Sequence, residues 1–166
     1  LWADIEAACR VMIEPVPPEG RAPLKVGKVW IGRRGGAYGC VLLPSGRSMV
    51  YPQIEKPRPG VRATFTYRGM NQYTRGWSEL RTYAGKVVEN LTQATARDIL
   101  AHGMKLAWER GYRIVLSVHD ELITETPDSG DFTEEGLAAC MTDNPDWAEG
   151  LPLSAAGFEA YRYKKD

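Results

Sequence analysis

Two adjacent carboxylates, Asp120 and Glu121, directly follow a histidine, His119. Hard oxygen ligands at a fixed position suit Mg²⁺, which usually takes one or two protein carboxylates and completes its octahedron with water and substrate phosphates. This triplet therefore predicts a divalent-metal site of the kind that serves phosphoryl transfer. Polar residues are also ordinary in turns that connect strands, so a triplet of this kind, taken alone, is more often structural.

The segment RIVLSVHDELITETP, residues 113 to 127, must position the triplet. It contains two β-rich runs that flank the three polar residues. We predict two antiparallel strands with the triplet at their junction, where neighbouring side chains point to different sides.

A helical periodicity of apolar residues runs from about Trp77 to Arg110 and stops at Gly111, which predicts one long helix. Asp98 falls within its apolar arc, where an ionised carboxylate needs a partner, and we interpret it as a structural anchor. At 100° per residue, four polar side chains fall within about 60° of one another. They form a polar edge of the helix: Lys86, Asn90, Gln93 and Arg97.

The first half of the chain predicts a helix and several strands. Apolar spacing in the first 14 residues indicates a helix of about three turns that ends before Pro15, followed by a loop from Pro15 to Pro23. Residues 44 to 47 form a turn between the β-rich runs CVLL and SMVYP, with Arg47 at the bend. We interpret GRRGGAYG, residues 32 to 39, and residues 55 to 61 as loops, and ATFTYRG, residues 63 to 69, as a strand.

The end of the chain predicts an amphipathic helix over residues 131 to 141, a loop over 145 to 152 and a closing strand in LSAAGFEAYRYK, residues 153 to 164. No internal repeat or low-complexity tract is present. The fold class predicted from these elements is α+β, an antiparallel sheet with packed helices in one compact domain.

Composition limits the kinds of protein and site. A chain of 166 residues with 43% hydrophobic and 25% charged residues is typical of a globular domain that needs no metal or disulfide to fold. Three cysteines at positions 9, 40 and 140 argue against a disulfide framework and a thiolate zinc site, and they indicate a reduced, cytoplasmic setting. The two histidines are too few for a histidine-rich cage, so any metal must be held by carboxylates.

The sequence predicts neither a membrane-spanning segment nor a secretory signal. No run approaches the roughly 18 apolar residues that cross a bilayer, and the N-terminus lacks the layout of a secretory signal. The first residue is Leu1, which indicates a piece of a larger protein.

Charge is divided along the chain. Residues 1 to 90 contain 14 Lys and Arg against 7 Asp and Glu, and residues 91 to 166 contain 7 against 14. One interpretation is a basic half that faces a polyanion, joined to an acidic half that gathers divalent cations. A drift in sign between solvated surfaces fits the same numbers.

Residues 83 to 127 resemble the C-terminal palm of family A DNA polymerases, the group that contains bacterial DNA polymerase I and many phage replicative polymerases. Two features carry the resemblance: the helix pattern QxxAxD at residues 93 to 98, and the tetrad VHDE at residues 118 to 121, which matches the family's motif C. The resemblance is strongest to the phage enzymes.

Two further segments extend this resemblance over essentially the whole chain. LPSGRSMVYP, residues 43 to 52, looks like the hairpin after the fingers, and WAEGLPLSAAGFEAYRYKKD, residues 147 to 166, looks like the final palm segment of the phage enzymes. The resemblance implies a single palm-like domain over residues 1 to 166, in the cytoplasm of the host cell if the protein derives from a phage.

The resemblance implies a role for each residue of the triplet. Asp120 is expected to be one of two catalytic carboxylates that bind a pair of Mg²⁺ ions. Glu121 is expected to be a supporting carboxylate at that metal site, and His119 to help hold the primer terminus.

The resemblance also implies contacts with primer-template DNA. Gln93 is expected at the minor groove near the primer end, with Arg97 beside it, and Lys86 and Asn90 extend the same polar edge. Arg47 is expected to reach the nucleic-acid backbone, where basic side chains contribute affinity without distinguishing sequence.

Important parts of the family pattern are missing from these 166 residues. There is no DYSQIELR-like motif A, which carries the other essential aspartate, and no fingers helix to bind the incoming dNTP. Thumb and exonuclease domains are also missing. One hairpin supplies half of a two-metal site, so we expect this chain alone not to polymerise.

Three arrangements follow from that expectation. The first is a C-terminal portion of one polymerase chain. The second is a separately encoded subunit that joins a partner carrying motif A and fingers, with Trp2, Trp30 and Trp77 as candidate interface anchors, although core packing is the expectation for each. A homodimer would cover the same exposed face. The third is a remnant that binds DNA without chemistry.

Overall fold

The computed structural model describes residues 2–14, 22–60 and 64–163. Within these ranges the fold is α+β with antiparallel strands, as predicted, but the strands form three separate sheets of four, two and two strands. The helices are α1 (Trp2–Val11), α2 (Ala84–Glu109) and α3 (Glu134–Met141), with a 3-10 turn at Asp146–Ala148. The strands are β1 (Leu24–Val26), β2 (Val29–Arg34), β3 (Tyr38–Leu42), β4 (Ser48–Pro52), β5 (Phe65–Met70), β6 (Trp77–Thr82), β7 (Arg113–Val118) and β8 (Glu121–Glu125).

The chain divides into two compact units, residues 1–95 (unit 1) and 96–166 (unit 2). The boundary between them lies within α2, and it coincides with the division of charge in the sequence. Unit 1 has 14 basic against 7 acidic side chains, and unit 2 has 7 against 14. The expectation of one palm-like domain stays a prediction.

Unit 1 is built on the sheet β1-β2-β3-β4, in which each strand pairs antiparallel with the next. The predicted opening helix is confirmed as α1, and its buried side chains at Ile5, Ala8 and Cys9, with Met12 directly after the helix, belong to the core that includes the inner face of this sheet. Gly39 of β3 is needed for this packing, because a Cβ there would lie 2.9 Å from side-chain atoms of Ile54 and Met12.

Two hairpins account for strands β2 to β4. The predicted turn between CVLL and SMVYP is confirmed, since β3 and β4 pair from Leu42↔Ser48 to Tyr38↔Pro52. The interpretation of residues 32 to 39 as a loop is wrong at both ends, because Gly32 pairs with Cys40 and Arg34 pairs with Tyr38. Gly32 and Gly39 adopt strand conformation because β2 and β3 each have a neighbouring strand on both sides.

The long helix begins later than its periodicity predicted. Trp77–Thr82 is strand β6, which pairs with the predicted strand β5 from Phe65↔Thr82 to Met70↔Trp77. The exposed fraction of its side chains alternates, as in a strand with one covered face. Helix α2 ends as predicted: Gly111 has φ +90°, and the amide of Tyr112 donates to the carbonyl of Ala107 at 3.0 Å.

Unit 2 has its own small core, formed by Ala107, Tyr112 and Cys140 with partly buried neighbours. Tyr112 packs edge-on against Phe132, with 5.2 Å between ring centroids. Helix α3 starts at residue 134 instead of 131, because the Thr133 hydroxyl accepts a hydrogen bond from the amide of residue 136 at 3.1 Å and caps the helix there.

The predicted closing strand is wrong for the part of it that the structure describes, residues 153 to 163, which form no regular element. The end of the chain is held by side-chain hydrogen bonds in place of a strand partner. The Asn144 amide donates to the Leu151 carbonyl at 2.8 Å, and a Glu159 carboxylate oxygen accepts from the Glu134 amide at 3.0 Å.

The predicted loop from Pro15 to Pro23 and the predicted burial of the tryptophans have different outcomes. Most of the predicted loop from Pro15 to Pro23, residues 15 to 21, lies outside the described residues. Core packing is wrong for two of the tryptophans, because Trp30 is 40% exposed and Trp77 is 62% exposed. The Trp2 side chain lies outside the described residues.

Within the described ranges, no helix is both long and apolar enough to cross a membrane.

The cysteines should differ sharply in reactivity. Cys9 and Cys140 are buried, whereas Cys40 is half-buried. Burial raises the pKa of the Cys9 thiol to about 11, so at pH 8 about one molecule in a thousand carries the reactive thiolate. We expect N-ethylmaleimide to modify Cys40 first in the native protein, as followed by mass spectrometry, and Cys40→Ser to remove that fast phase. Equal rates of modification at all three cysteines before urea is added would contradict the burial of Cys9 and Cys140.

Candidate functional site

The triplet lies where the sequence predicted, at the junction of an antiparallel pair. Strands β7 and β8 pair up to Val118↔Glu121, which leaves His119 and Asp120 as a two-residue turn. All three side chains of the triplet are exposed. The turn therefore presents two carboxylates to solvent at the end of a short ribbon.

The turn requires an uncommon backbone conformation. His119 has φ +53°, and Asp120 is not among the non-glycine residues with positive φ. Positive φ at only the first residue of a two-residue hairpin loop is the pattern of a type II′ turn, where glycine is the usual choice. A non-glycine side chain there costs about 1 to 2 kcal/mol, which strand pairing must offset.

The two carboxylates have no protein partner in the part of the chain that the structure describes: neither forms a hydrogen bond or an ion pair with it. Exposed, unpaired oxygen donors fit the coordination chemistry of Mg²⁺. The described residues contain no group of three or more His, Cys, Asp or Glu side chains that could hold a metal ion. Asp120 and Glu121 therefore fit part of a site, whose other ligands must be water, substrate phosphates or another protein segment.

Arg97 lies beside this ribbon. Its Nη1 atom donates to the Ser117 hydroxyl at 3.2 Å, which ties α2 to β7 within unit 2. Ser117 lies two positions before His119 along the chain, and it pairs with Leu122 of β8. No pattern in the sequence pointed to Ser117, because spacing alone cannot identify the side-chain partner of a serine in a strand.

Lys86 and Gln93 share one carboxylate within unit 1. The Lys86 ammonium donates to Glu89 at 2.7 Å, and the Gln93 amide donates to the same oxygen at 3.4 Å. The hydrogen bond to Glu89 raises the pKa of Lys86. Glu89 was not among the predicted site residues, although its spacing of three and four positions from Lys86 and Gln93 is the rule for helix side-chain pairs.

Asn90 and Arg47 are bound to other parts of unit 1. The Asn90 amide donates to the Tyr51 hydroxyl at 3.2 Å, and Arg47 Nη2 donates to the Ala94 carbonyl at 2.9 Å. Burial raises the pKa of Tyr51, and the bond from Asn90 acts in the opposite direction. Both contacts hold the β3–β4 hairpin to α2, and a DNA contact by either residue stays a prediction.

Asp98 is half-buried and is not without a partner. Among the predicted site residues, the structure brings Arg97 to the hairpin that carries the triplet. It joins Lys86 to Gln93 through Glu89, and it ties Asn90 and Arg47 to separate points of unit 1.

The chain is similar to the DNA polymerase of Bacillus phage SP02, with 38% identity over 167 aligned positions. The alignment covers 99% of this chain and 25% of the phage protein, so the chain spans about a quarter of that relative's length. No family model matches the chain. No solved structure matches it either.

Replacing His119 by glycine should stabilise the fold, because glycine adopts positive φ without a steric penalty. Relief of about 1 to 2 kcal/mol, less the conformational entropy that glycine loses on folding, leaves a gain of about 0.5 to 1 kcal/mol. His119→Ala keeps the backbone penalty and should show no gain. Arg75→Gly, at a turn with φ +52° outside the site, is the matched control and should also stabilise. Urea unfolding in which both glycine variants lose stability would contradict this account.

A double-mutant cycle tests the contact between Arg97 and Ser117. Because both side chains lie near the surface, we expect Arg97→Ala and Ser117→Ala to be coupled by about 0.5 to 1 kcal/mol in urea unfolding. Arg97→Lys keeps the charge but loses the planar guanidinium, and it should lose most of that coupling. Simple additivity of the two alanine variants would show that this hydrogen bond does not stabilise unit 2.

Proposed function

We propose that this chain is the C-terminal palm portion of a family A DNA-directed DNA polymerase, with Asp120 as a ligand of the catalytic metal site. One observation carries the proposal. The carboxylates of Asp120 and Glu121 stand exposed and unpaired on a two-residue turn, in a chain that is similar to a phage DNA polymerase over 99% of its length.

Asp120 and Glu121 would hold the metal. Two-metal sites supply a nucleophile at the primer hydroxyl and neutralise charge on the triphosphate. Asp120, at the second position of the turn, contributes a ligand oxygen, and Glu121, the first residue of β8, supports it. His119 lies next to both and contacts the primer terminus.

The polar edge of α2 and the basic unit 1 contact primer-template DNA. Arg97 binds near the primer end and is oriented by Ser117. Lys86, Gln93 and Arg47 contribute sequence-independent contacts, in keeping with the surplus of positive charge in residues 1 to 95. The proposed assignment to family A is supported by the resemblance of QxxAxD, residues 93 to 98, and VHDE, residues 118 to 121, to motifs of that family.

The other half of the metal site must come from a segment beyond these 166 residues. A separately encoded arrangement is a second candidate, favoured by the exposure of Trp30 and Trp77. In that arrangement, the chain and its partner copurify, and only their mixture extends a primer. In either case dNTP binding belongs to the complete enzyme.

Primer extension tests the proposed role of Asp120. The chain is joined to an upstream segment carrying motif A and fingers, or mixed with it, and extension of a labelled primer is measured with Mg²⁺. Because a catalytic charge partner is lost, Asp120→Asn should lower the rate by roughly a thousandfold or more. Asp128→Asn, on the exposed loop after β8, is the matched control and should keep full activity.

Two outcomes would overturn this proposal. One is a complete enzyme in which Asp120→Asn extends the primer as fast as Asp128→Asn. The other is robust extension by the 166-residue chain alone that Asp120→Asn abolishes, because the chain would then contain a whole catalytic site.

A further inference from the structure

We propose that the outer face of the four-stranded sheet in unit 1 binds single-stranded DNA by stacking bases on Trp30 and Tyr38. The outer face is the side opposite the core formed with α1. Its main side chains are Lys25, Trp30, Arg34, Tyr38, Leu42 and Val50. This surface goes beyond the proposed function, because it includes neither the triplet nor the polar edge of α2.

Strand register places these side chains together. Trp30 pairs with Leu42, and Arg34 pairs with Tyr38, so all four project from the same side of β2 and β3. Trp30 is 40% exposed and Tyr38 is 47% exposed. The two positions lie on neighbouring strands and are offset by four residues along the strand direction, about 13 Å. That spacing suits a short run of bases, since sheet-based platforms stack two or three bases on such aromatics.

A hollow lies beside Trp30 on this face. It has a volume of about 250 Å³ and is lined by residues that include Pro23, Trp30, Cys40 and Leu42. Gly32 also lines it, and Pro23 packs against this glycine, since a Cβ at Gly32 would lie 2.8 Å from the Pro23 Cβ. The volume is below the range of pockets for drug-sized ligands, and the walls are mostly apolar. Such a space suits one planar base.

Charge favours a polyanion as the occupant. Residues 22 to 54, which contain the whole sheet, include five Lys and Arg and no Asp or Glu. The Lys25 ammonium lies over one face of the Trp30 ring, 5.4 Å from its centre, so a base stacks on the other face and Lys25 meets its phosphate. The Arg34 guanidinium acts on the pKa of Cys40, opposing the rise that burial causes, which puts a second positive charge at the hollow.

The same features favour a single strand over a duplex or a protein. Bases in a duplex are already stacked and paired, so their faces are not available to Trp30 and Tyr38, whereas an unpaired strand presents every base face. An apolar protein segment would cover the rings but offer no anionic group to Lys25 and Arg34, the two cations on this face.

Fluorescence anisotropy with a labelled oligothymidylate of about 12 nucleotides, long enough for one stacking platform, tests the inference on the full chain. We expect Trp30→Ala to weaken binding roughly tenfold or more, because base stacking on that ring is lost. Trp30→Phe should keep most of the affinity. Trp108→Ala removes a tryptophan of unit 2 that is more exposed than Trp30, at 67% against 40%, and should leave binding unchanged. A duplex of the same length should bind more weakly and respond to none of these variants.

Two readouts besides affinity sharpen the test. Because Cys9 and Cys140 are buried, modification by N-ethylmaleimide reports on Cys40, and the oligonucleotide should slow it. Lys25→Ala and Arg34→Ala should each reduce the slope of log affinity against log salt by about one, whereas Lys105→Ala in unit 2 should not.

Several results would overturn the inference. These are equal binding by Trp30→Ala and Trp108→Ala, no protection of Cys40, or self-association of the chain that Trp30→Ala abolishes, which would identify a second copy as the occupant. Circular dichroism must show that each variant is folded. The measurements need no catalysis, so their failure would leave the proposed role of Asp120 untouched, and failure of primer extension would leave this surface untouched.

Discussion

The pairing of Val118 with Glu121 is the constraint on which the candidate site depends. Because this pair closes the ribbon, two residues must make the turn, and Asp120 must be one of them. A register shift of one residue would move every side chain of β8 to the opposite face, and the two carboxylates would no longer share the tip. The ladder has one irregularity, between Ile114 and Leu116, but pairing is regular from there to the turn. Strand pairing thus offsets the free-energy cost of the positive φ at His119. It also keeps the two negative charges of Asp120 and Glu121 side by side in solvent, where repulsion between them is weakest.

Each unit uses hydrogen bonds to fix one part of α2. In unit 1 the Asn90 amide donates to the Tyr51 hydroxyl of β4, and Arg47 of the β3–β4 turn donates to the Ala94 carbonyl. These two hydrogen bonds hold the first half of the helix to the sheet. In unit 2 Arg97 holds the helix to β7. These contacts occupy donors that the proposed DNA interface would otherwise use. A residue whose donors are satisfied within the protein contributes less to an external phosphate, so the exposed cations of the sheet gain importance for any interaction with DNA.

Local signals in the sequence predicted the parts of the fold that local chemistry determines. The turn at residues 44 to 47, the end of α2 at Gly111 and the ribbon around His119 were confirmed, because each depends on residues close together in the chain. The start of α2 was wrong, since residues 77 to 82 find a partner in β5 that no short window contains. The closing strand failed for the opposite reason: its β-forming residues have no neighbouring strand to pair with. Likewise, spacing could place Asn90 on a polar edge but could not reveal Tyr51, 39 positions away, as its partner.

The division of charge and the exposed aromatics have one physical consequence in common. A basic surface attracts any polyanion over about 10 Å at moderate salt and does not distinguish a single strand from a duplex. Exposed ring faces do distinguish them, because only unpaired bases can stack on a side chain. The acid-free sheet of unit 1 combines both properties on one face, whereas the polar edge of α2 has charges and amides but no aromatic ring among its four members. If both surfaces bind the same DNA, the helix edge is suited to a paired primer-template and the sheet to a strand that has not yet been copied.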